Sequence, residues 1–183
     1  MSDAALLDRA ADALLRLAAD RPWSQISLRE IAAGAEASLA DLFAAAESKQ
    51  ALLKHVSARL DRAALGETAS EPAEIHDRLF EAVMARVEAM EAHREALTSI
   101  ARDLGLAGGL LALGPHLPHT ARAILEGAGL EATPPRVAAM SLTWARIARV
   151  WRDDEGALNR TMAEIDGQLK SLRSGLARIG AGF

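Results

Sequence analysis

The sequence predicts an all-α protein, on three observations. Hydrophobic residues fill 50% of the 183 positions while aromatics fill only 3%, with no tyrosine at all. Such an Ala- and Leu-led composition favours helices over strands, which draw on β-branched and aromatic side chains. Apolar residues recur at three- and four-residue spacings along most of the chain, and the breaks in that pattern carry helix caps, with Ser at starts and Gly at ends. About nine helices are expected.

The first is written by Leu6, Leu7, Ala10, Leu14, Leu15, Leu17 and Ala18, and stops before Arg21-Pro22-Trp23, where proline disfavours helix in its predecessor. Ser27-Leu28-Arg29-Glu30 is a capping box, in which Ser27 caps the next helix and Glu30 reaches back to the Ser27 amide. That short helix is expected to end at Gly34 in the left-handed position. After three intervening residues Ser38, with Asp41 behind it, opens another helix, so two short helices flank a tight turn as a helix-turn-helix. Ser48 caps a fourth helix carrying Leu52, Leu53, Val56 and Leu60.

The run Gly66-Glu67-Thr68-Ala69-Ser70-Glu71-Pro72 is polar and turn-rich and reads as the break between this small module and the rest, with Pro72 suited to a first helical turn. Ile75, Leu79, Phe80, Val83, Met84, Val87 and Met90 share the next helical face, and a shorter helix follows with Leu97, Ile100, Ala101 and Leu104. Gly105 to Pro118 reads as a loop or short helix over a core, and Pro118 to Ala128 as a further helix. The last two helices carry Val137, Met140, Trp144, Ile147 and Trp151, then Leu158, Met162, Ile165, Leu169, Leu172, Leu176 and Ile179. The second set alternates steps of four and three, an a/d seam suited to a four-helix bundle. Such a seam faces either the chain's own core or a second copy. Because it runs to the end of the chain, where little remains to cover it, a homodimer through these two helices is expected.

Several function classes are excluded or disfavoured. With no cysteine there is no disulfide, thiolate nucleophile or Cys-based zinc site. Met1-Ser2-Asp3-Ala4 does not begin a secretory leader, and no stretch approaches the roughly 18 apolar residues that span a bilayer, so a cytoplasmic protein is expected. A formal charge of −4 does not suit a general nucleic-acid binder. Glycine-rich phosphate cradles, zinc-protease signatures and nucleophile elbows are missing, and neither enzymatic activity nor a cofactor is expected.

The residues Ile26-Ser27-Leu28-Arg29-Glu30-Ile31-Ala32, Gly34-Ala35-Glu36-Ala37-Ser38, Leu42-Phe43 and Ser48-Lys49-Gln50-Ala51-Leu52-Leu53 resemble, in order and spacing, the DNA-binding module of the TetR family of bacterial transcriptional regulators. The resemblance spans about Ala10 to Val56. It implies a TetR-like fold, with a three-helix helix-turn-helix module at 1–55 and a ligand-binding and dimerisation domain at 56–183. The implied function is a homodimeric regulator, a repressor, that binds operator DNA and answers to a small apolar or amphipathic ligand. Carried onto this sequence, the DNA contacts fall on Ser27, Arg29, Ser38, Leu39, Phe43, Lys49 and Lys54.

Where the family has a tyrosine and then a histidine-phenylalanine pair, this chain has Phe43, Ala45 and Ala46. Over residues 1–55, Asp3, Asp8, Asp12, Asp20, Glu30, Glu36, Asp41 and Glu47 outnumber Arg9, Arg16, Arg21, Arg29, Lys49 and Lys54. Phosphate neutralisation supplies nearly all non-specific affinity for DNA, so an acidic module is a weak clamp.

A second resemblance rests on Asp77-Arg78-Leu79-Phe80-Glu81-Ala82-Val83-Met84-Ala85-Arg86, Val150-Trp151-Arg152-Asp153-Asp154 and Thr161-Met162-Ala163-Glu164-Ile165-Asp166, which look like the lipid-binding ubiquinone-biosynthesis accessory family. It implies the alternative function, a lipid- or isoprenoid-binding protein of TetR fold that has lost DNA binding. Under either reading an apolar pocket would be lined by Phe80, Met84, Val87, Leu97, Ile100, Leu110, Leu111, Leu113 and Trp144, with His93, Arg94, His116 and His119 as polar anchors. The same apolar residues would equally make an ordinary core. His116 and His119, with His93 or His76, share no convincing ligand spacing, and no metal is expected. Asp153-Asp154-Glu155 suits the N-terminal dipole of the last helix. The expected dimer seam is Met140, Ile147, Trp151, Leu158, Met162, Ile165, Leu169, Leu172 and Leu176.

Overall fold

The computed structural model describes residues 3–66 and 74–183, with backbone alone over 106–113. Among the described residues there are nine α-helices and no strand, so the all-α expectation holds. Pro72 and most of the polar run around it lie outside the described residues. The chain forms two compact units, one taking the residues up to Ala58 together with His93–Pro115, the other Arg59–Ala92 with His116–Phe183.

In the first unit, α1 (Asp3–Asp20) precedes a 3₁₀ turn at Trp23–Gln25, α2 (Leu28–Gly34), α3 (Leu39–Ala45) and the start of α4 (Lys49–Ala64). Ala10, Leu14 and Ala18 of α1, Ile31 of α2, Leu42 of α3 and Leu52 of α4 are fully buried and form its core. Burying each of the larger ones stabilises the unit by about 1.5–3 kcal/mol. The unit also takes in α6 (Arg94–Leu113), which packs on α1 and on the 3₁₀ turn. A division of the sequence at residue 55 assigns α6 to the other part. Sequence periodicity is local and does not reveal which distant helix covers α1. Helix α6 is interrupted at Gly105 (φ 60°, ψ −173°), the point where the apolar pattern breaks.

The turn between α2 and α3 differs from the expected one in one respect. Gly34 stays helical, and a Cβ there would lie 3.1 Å from the Ala13 Cβ, so the glycine serves the close approach of α2 to α1. The left-handed position falls on Glu36, with φ 52°. The Ala37 amide donates to the Ala32 carbonyl and the Glu36 amide to Ala33, the paired bonds of a Schellman motif.

The second unit contains the end of α4 with α5 (Ile75–Glu91), α7 (Leu117–Gly127), α8 (Pro134–Arg152) and α9 (Asn159–Arg178). Helix α8 packs on α7 and α9, and α5 packs on α7 and α9. A Cβ on Gly127 would sit 1.7 Å from the Ala64 carbonyl oxygen, so only glycine lets α7 end against the end of α4. Between α8 and α9, buried Asp154 accepts hydrogen bonds from the Thr161 amide at 2.8 Å and the Thr161 hydroxyl at 2.7 Å, holding the first turn of α9. Of its neighbours in the acidic triplet, Asp153 pairs with Arg152 and Glu155 is exposed.

The a/d seam is where expectation and structure part. Met140, Ile147, Trp151, Ile165, Leu169, Leu172 and Leu176 are buried within a single chain. Intrachain packing of α5, α7, α8 and α9 covers them, and the premise that little in the subunit could do so fails. Leu158 is half-buried and Met162 is exposed. The large apolar side chains on the outside of the two helices are Leu142 at 68% exposure and Met162 at 38%.

Candidate nucleic-acid interface

Both caps of the helix-turn-helix form as their sequences predict. The Glu30 amide donates to the Ser27 hydroxyl oxygen at 3.2 Å while the Glu30 carboxylate accepts from the Ser27 amide at 2.9 Å. Hydrogen bonds from the Ser27 hydroxyl and amide, then from Arg21, hold the Glu30 carboxyl at about 2. At α3 the Asp41 amide donates to the Ser38 hydroxyl oxygen at 3.0 Å, and the same hydroxyl donates to the Asp41 carboxylate at 2.7 Å. Ser27 and Ser38, both expected to meet DNA, are thus engaged within the module. At α4 the Ala51 amide donates to the Ser48 hydroxyl oxygen.

Helix α3 turns Leu42 inward and leaves Ala40, Phe43 and Ala44 exposed, with Phe43 at 56% and Leu39 half-buried. A groove of about 650 Å³ runs beside it, lined by Asp3, Leu6, Ala33, Glu36, Ala37, Ser38, Asp41 and Ala44.

The module's cations are largely spent on its own backbone. Lys49 Nζ donates to the carbonyls of Trp23 at 2.6 Å and Ile26 at 2.7 Å and lies 4.6 Å from the centre of the Trp23 ring. Burial lowers its pKa, and the charge of Glu30 works the other way. Arg9 donates to the Ala35 carbonyl, Arg16 to the Gly34 carbonyl, and Arg21 to the Glu30 carboxylate. Lys49 therefore ties the start of α4 to the segment before α2. Arg29 and Lys54 are exposed and remain suited to phosphate. Spacing alone cannot reveal that a lysine at a helix start will cap carbonyls 23 and 26 residues away.

The expected pocket residues divide between the units. Val87 and Trp144 are buried and Phe80 and Met84 half-buried in the second unit, whereas Ile100 is buried and Leu97 half-buried in the first. The side chains of Leu110, Leu111 and Leu113 lie outside the described residues. Of the expected anchors, His93 and Arg94 belong to the first unit and His116 and His119 to the second.

His116 belongs to a buried network that sequence reading does not foresee. One Asp61 carboxylate oxygen accepts from Arg86 Nε at 2.7 Å and the Thr120 hydroxyl at 2.9 Å, and the other bonds to His116 Nε2 at 2.9 Å. The Arg86 guanidinium lies 4.3 Å from the centre of the Trp144 ring, and the His116 ring stacks on His119. Burial raises the Asp61 pKa, but His116, Arg86 and Thr120 outweigh it and hold the carboxyl below its ordinary value. Burial lowers the Arg86 pKa, against the pull of Asp61. The sequence does carry one signal of this network, since Arg86 sits on the apolar stripe with Leu79, Val83 and Met90. His76 bonds to Asp166 instead.

No protein-family model matches the chain. No curated protein matches its sequence. Solved structures do match. A TetR transcriptional regulator from Rhodococcus sp. RHA1 aligns with TM-score 0.71 and 16% identity over 92% of this chain and 95% of that one. The TetR transcriptional regulator from Nitrosomonas europaea ATCC 19718 aligns with TM-score 0.70 and 19% identity over 91% of this chain and 96% of that one. At these identities the likeness is one of fold, and the fold is that of TetR regulators.

Proposed function

We propose that this chain is a homodimeric transcriptional regulator of TetR type, a repressor whose operator affinity responds to a small apolar or amphipathic ligand. The observation that carries the reading is a doubly capped helix-turn-helix with an exposed α3 face, set in a chain whose fold follows TetR regulators over nearly its whole length. In this reading Phe43 and Leu39 meet base edges or thymine methyl groups, and Arg29 and Lys54 supply the phosphate contacts. Lys49, bonded to backbone carbonyls, acts indirectly by holding the module in shape.

Dimerisation is assigned to the outward faces of α8 and α9, where Leu142 and Met162 are exposed. The ligand is assigned to the C-terminal part. Its effect is a population shift, set by its differential affinity for two spacings of the paired modules. Equilibrium binding of the purified chain to the DNA upstream of its own gene, against an unrelated duplex, tests the reading. A chain that binds neither and carries a co-purifying lipid would instead fit the lipid-binding alternative.

A further inference from the structure

The groove beside α3 is acidic, and its complementarity is to a basic partner. Among the described residues its lining sets the apolar Leu6, Ala33, Ala37 and Ala44 beside the carboxylates of Asp3, Glu36 and Asp41, with no basic residue among them. Phe43, at 56% exposure, stands on the neighbouring surface of α3 with Ala40, and Glu47 follows the helix. Arg9, Arg16 and Lys49 donate to backbone carbonyls and Arg21 to Glu30. One further feature marks Glu36. It occupies a left-handed position with φ 52°, which a glycine adopts more easily than an L side chain.

We propose that this groove and Phe43 form a docking surface for a basic polypeptide segment that carries a large apolar side chain. The apolar side chain enters the groove between the start of α1 and the start of α3, while Lys or Arg residues on either side of it meet Glu36, Asp41 and Asp3. Phe43 covers the adjacent apolar stem of the segment, as aromatic residues do at interface centres. Charge complementarity selects this occupant: an acidic segment or a nucleic-acid phosphate would face like charge at close range. Because Ser38, Asp41 and Ala44 line the groove, a docked segment also covers this face of α3. The inference goes beyond the regulator reading and does not depend on it, since the groove exists whether or not the module grips DNA.

The test uses the full chain and three labelled peptides, read by fluorescence anisotropy: a short lysine-rich peptide with one central leucine, the same peptide with serine for leucine, and a glutamate-rich counterpart. The lysine-leucine peptide should bind, salt-sensitively, and the other two should bind at least about tenfold more weakly. Glu36→Gly, which suits the left-handed position, and Phe43→Ser, at an exposed site, leave folding intact and should together weaken the peptide about tenfold. No binding of the lysine-leucine peptide, equal binding of the serine peptide, or indifference to both substitutions would overturn the docking surface. Duplex binding measured on the same preparations separates the two ideas. Peptide binding without duplex binding removes the regulator reading alone, and duplex binding without peptide binding removes the docking surface alone.

Discussion

Lys49 donates to the backbone carbonyl of Trp23 at 2.6 Å and holds its ammonium 4.6 Å from the centre of the Trp23 ring. A residue expected to grip phosphate is thus part of the module's own scaffold. The carbonyls it serves, those of Trp23 and Ile26, precede α2. The module therefore gains rigidity at the expense of positive surface.

Lys49→Met keeps the stem of the side chain and removes the ammonium. Two hydrogen bonds and a cation–π contact are lost, and the expected loss of stability is about 1.5–3 kcal/mol. Denaturant unfolding should show a lower midpoint with an unchanged slope. An unaltered midpoint would mean that the ammonium contributes nothing to the fold.

Asp61 and Arg86 form a buried ion pair, and removing one partner strands the other. Asp61→Asn should lower stability at neutral pH by about 3–5 kcal/mol, the usual effect of breaking such a pair. The native pKa of Asp61 lies below its ordinary value. Its stabilisation is therefore fully present above the unfolded value of about 3.9 and is lost as pH falls through the native one. The gap between wild type and Asp61→Asn should narrow in acid, below about pH 4, in urea unfolding followed across pH. A constant gap at all pH values would remove the ionised carboxylate from the explanation.

Gly127→Ala puts a methyl carbon 1.7 Å from the Ala64 carbonyl oxygen, a backbone atom that cannot rotate away. Helix α7 must shift, and a loss of about 1–3 kcal/mol or more is expected. Thermal unfolding should record a fall of several degrees. A variant as stable as the parent would show that α7 and α4 do not approach this closely.

Leu142→Glu and Ile147→Ala separate the two faces of α8. Leu142 is exposed at 68%, so a charge there should leave the fold intact and dissociate the dimer in sedimentation velocity. Ile147 is fully buried, and its truncation should cost about 2–5 kcal/mol of folding stability with the association constant little changed. The reverse outcome would restore the inner seam as the dimer contact.

Much of this was legible in the sequence, where local chemistry decides the outcome. The Ser27–Glu30 box, the Ser38 and Ser48 caps and the stop before Pro22 each depend on neighbours within a few residues. Where distant residues decide, reading the sequence fell short. The a/d seam of α9 was visible, but not that α5 and α8 would cover it. Lys49 was visible as a cation, but not the carbonyls of Trp23 and Ile26 waiting for it. Glu36 took the left-handed position that Gly34 suited better, because Gly34 was needed against Ala13.

The central claim is that the module reads DNA, and salt-dependent binding tests it most directly. The purified chain is titrated against the duplex upstream of its own gene and against an unrelated one, from roughly 50 to 200 mM salt. With Arg29 and Lys54 as the phosphate contacts of each module, a dimer neutralises about four phosphates, and log K should fall with log salt at a slope of about −4. Preference for its own upstream duplex, that shallow slope, and loss of binding in Lys54→Glu are the predicted result. Equal binding to both duplexes, or none at the lowest salt, would contradict it.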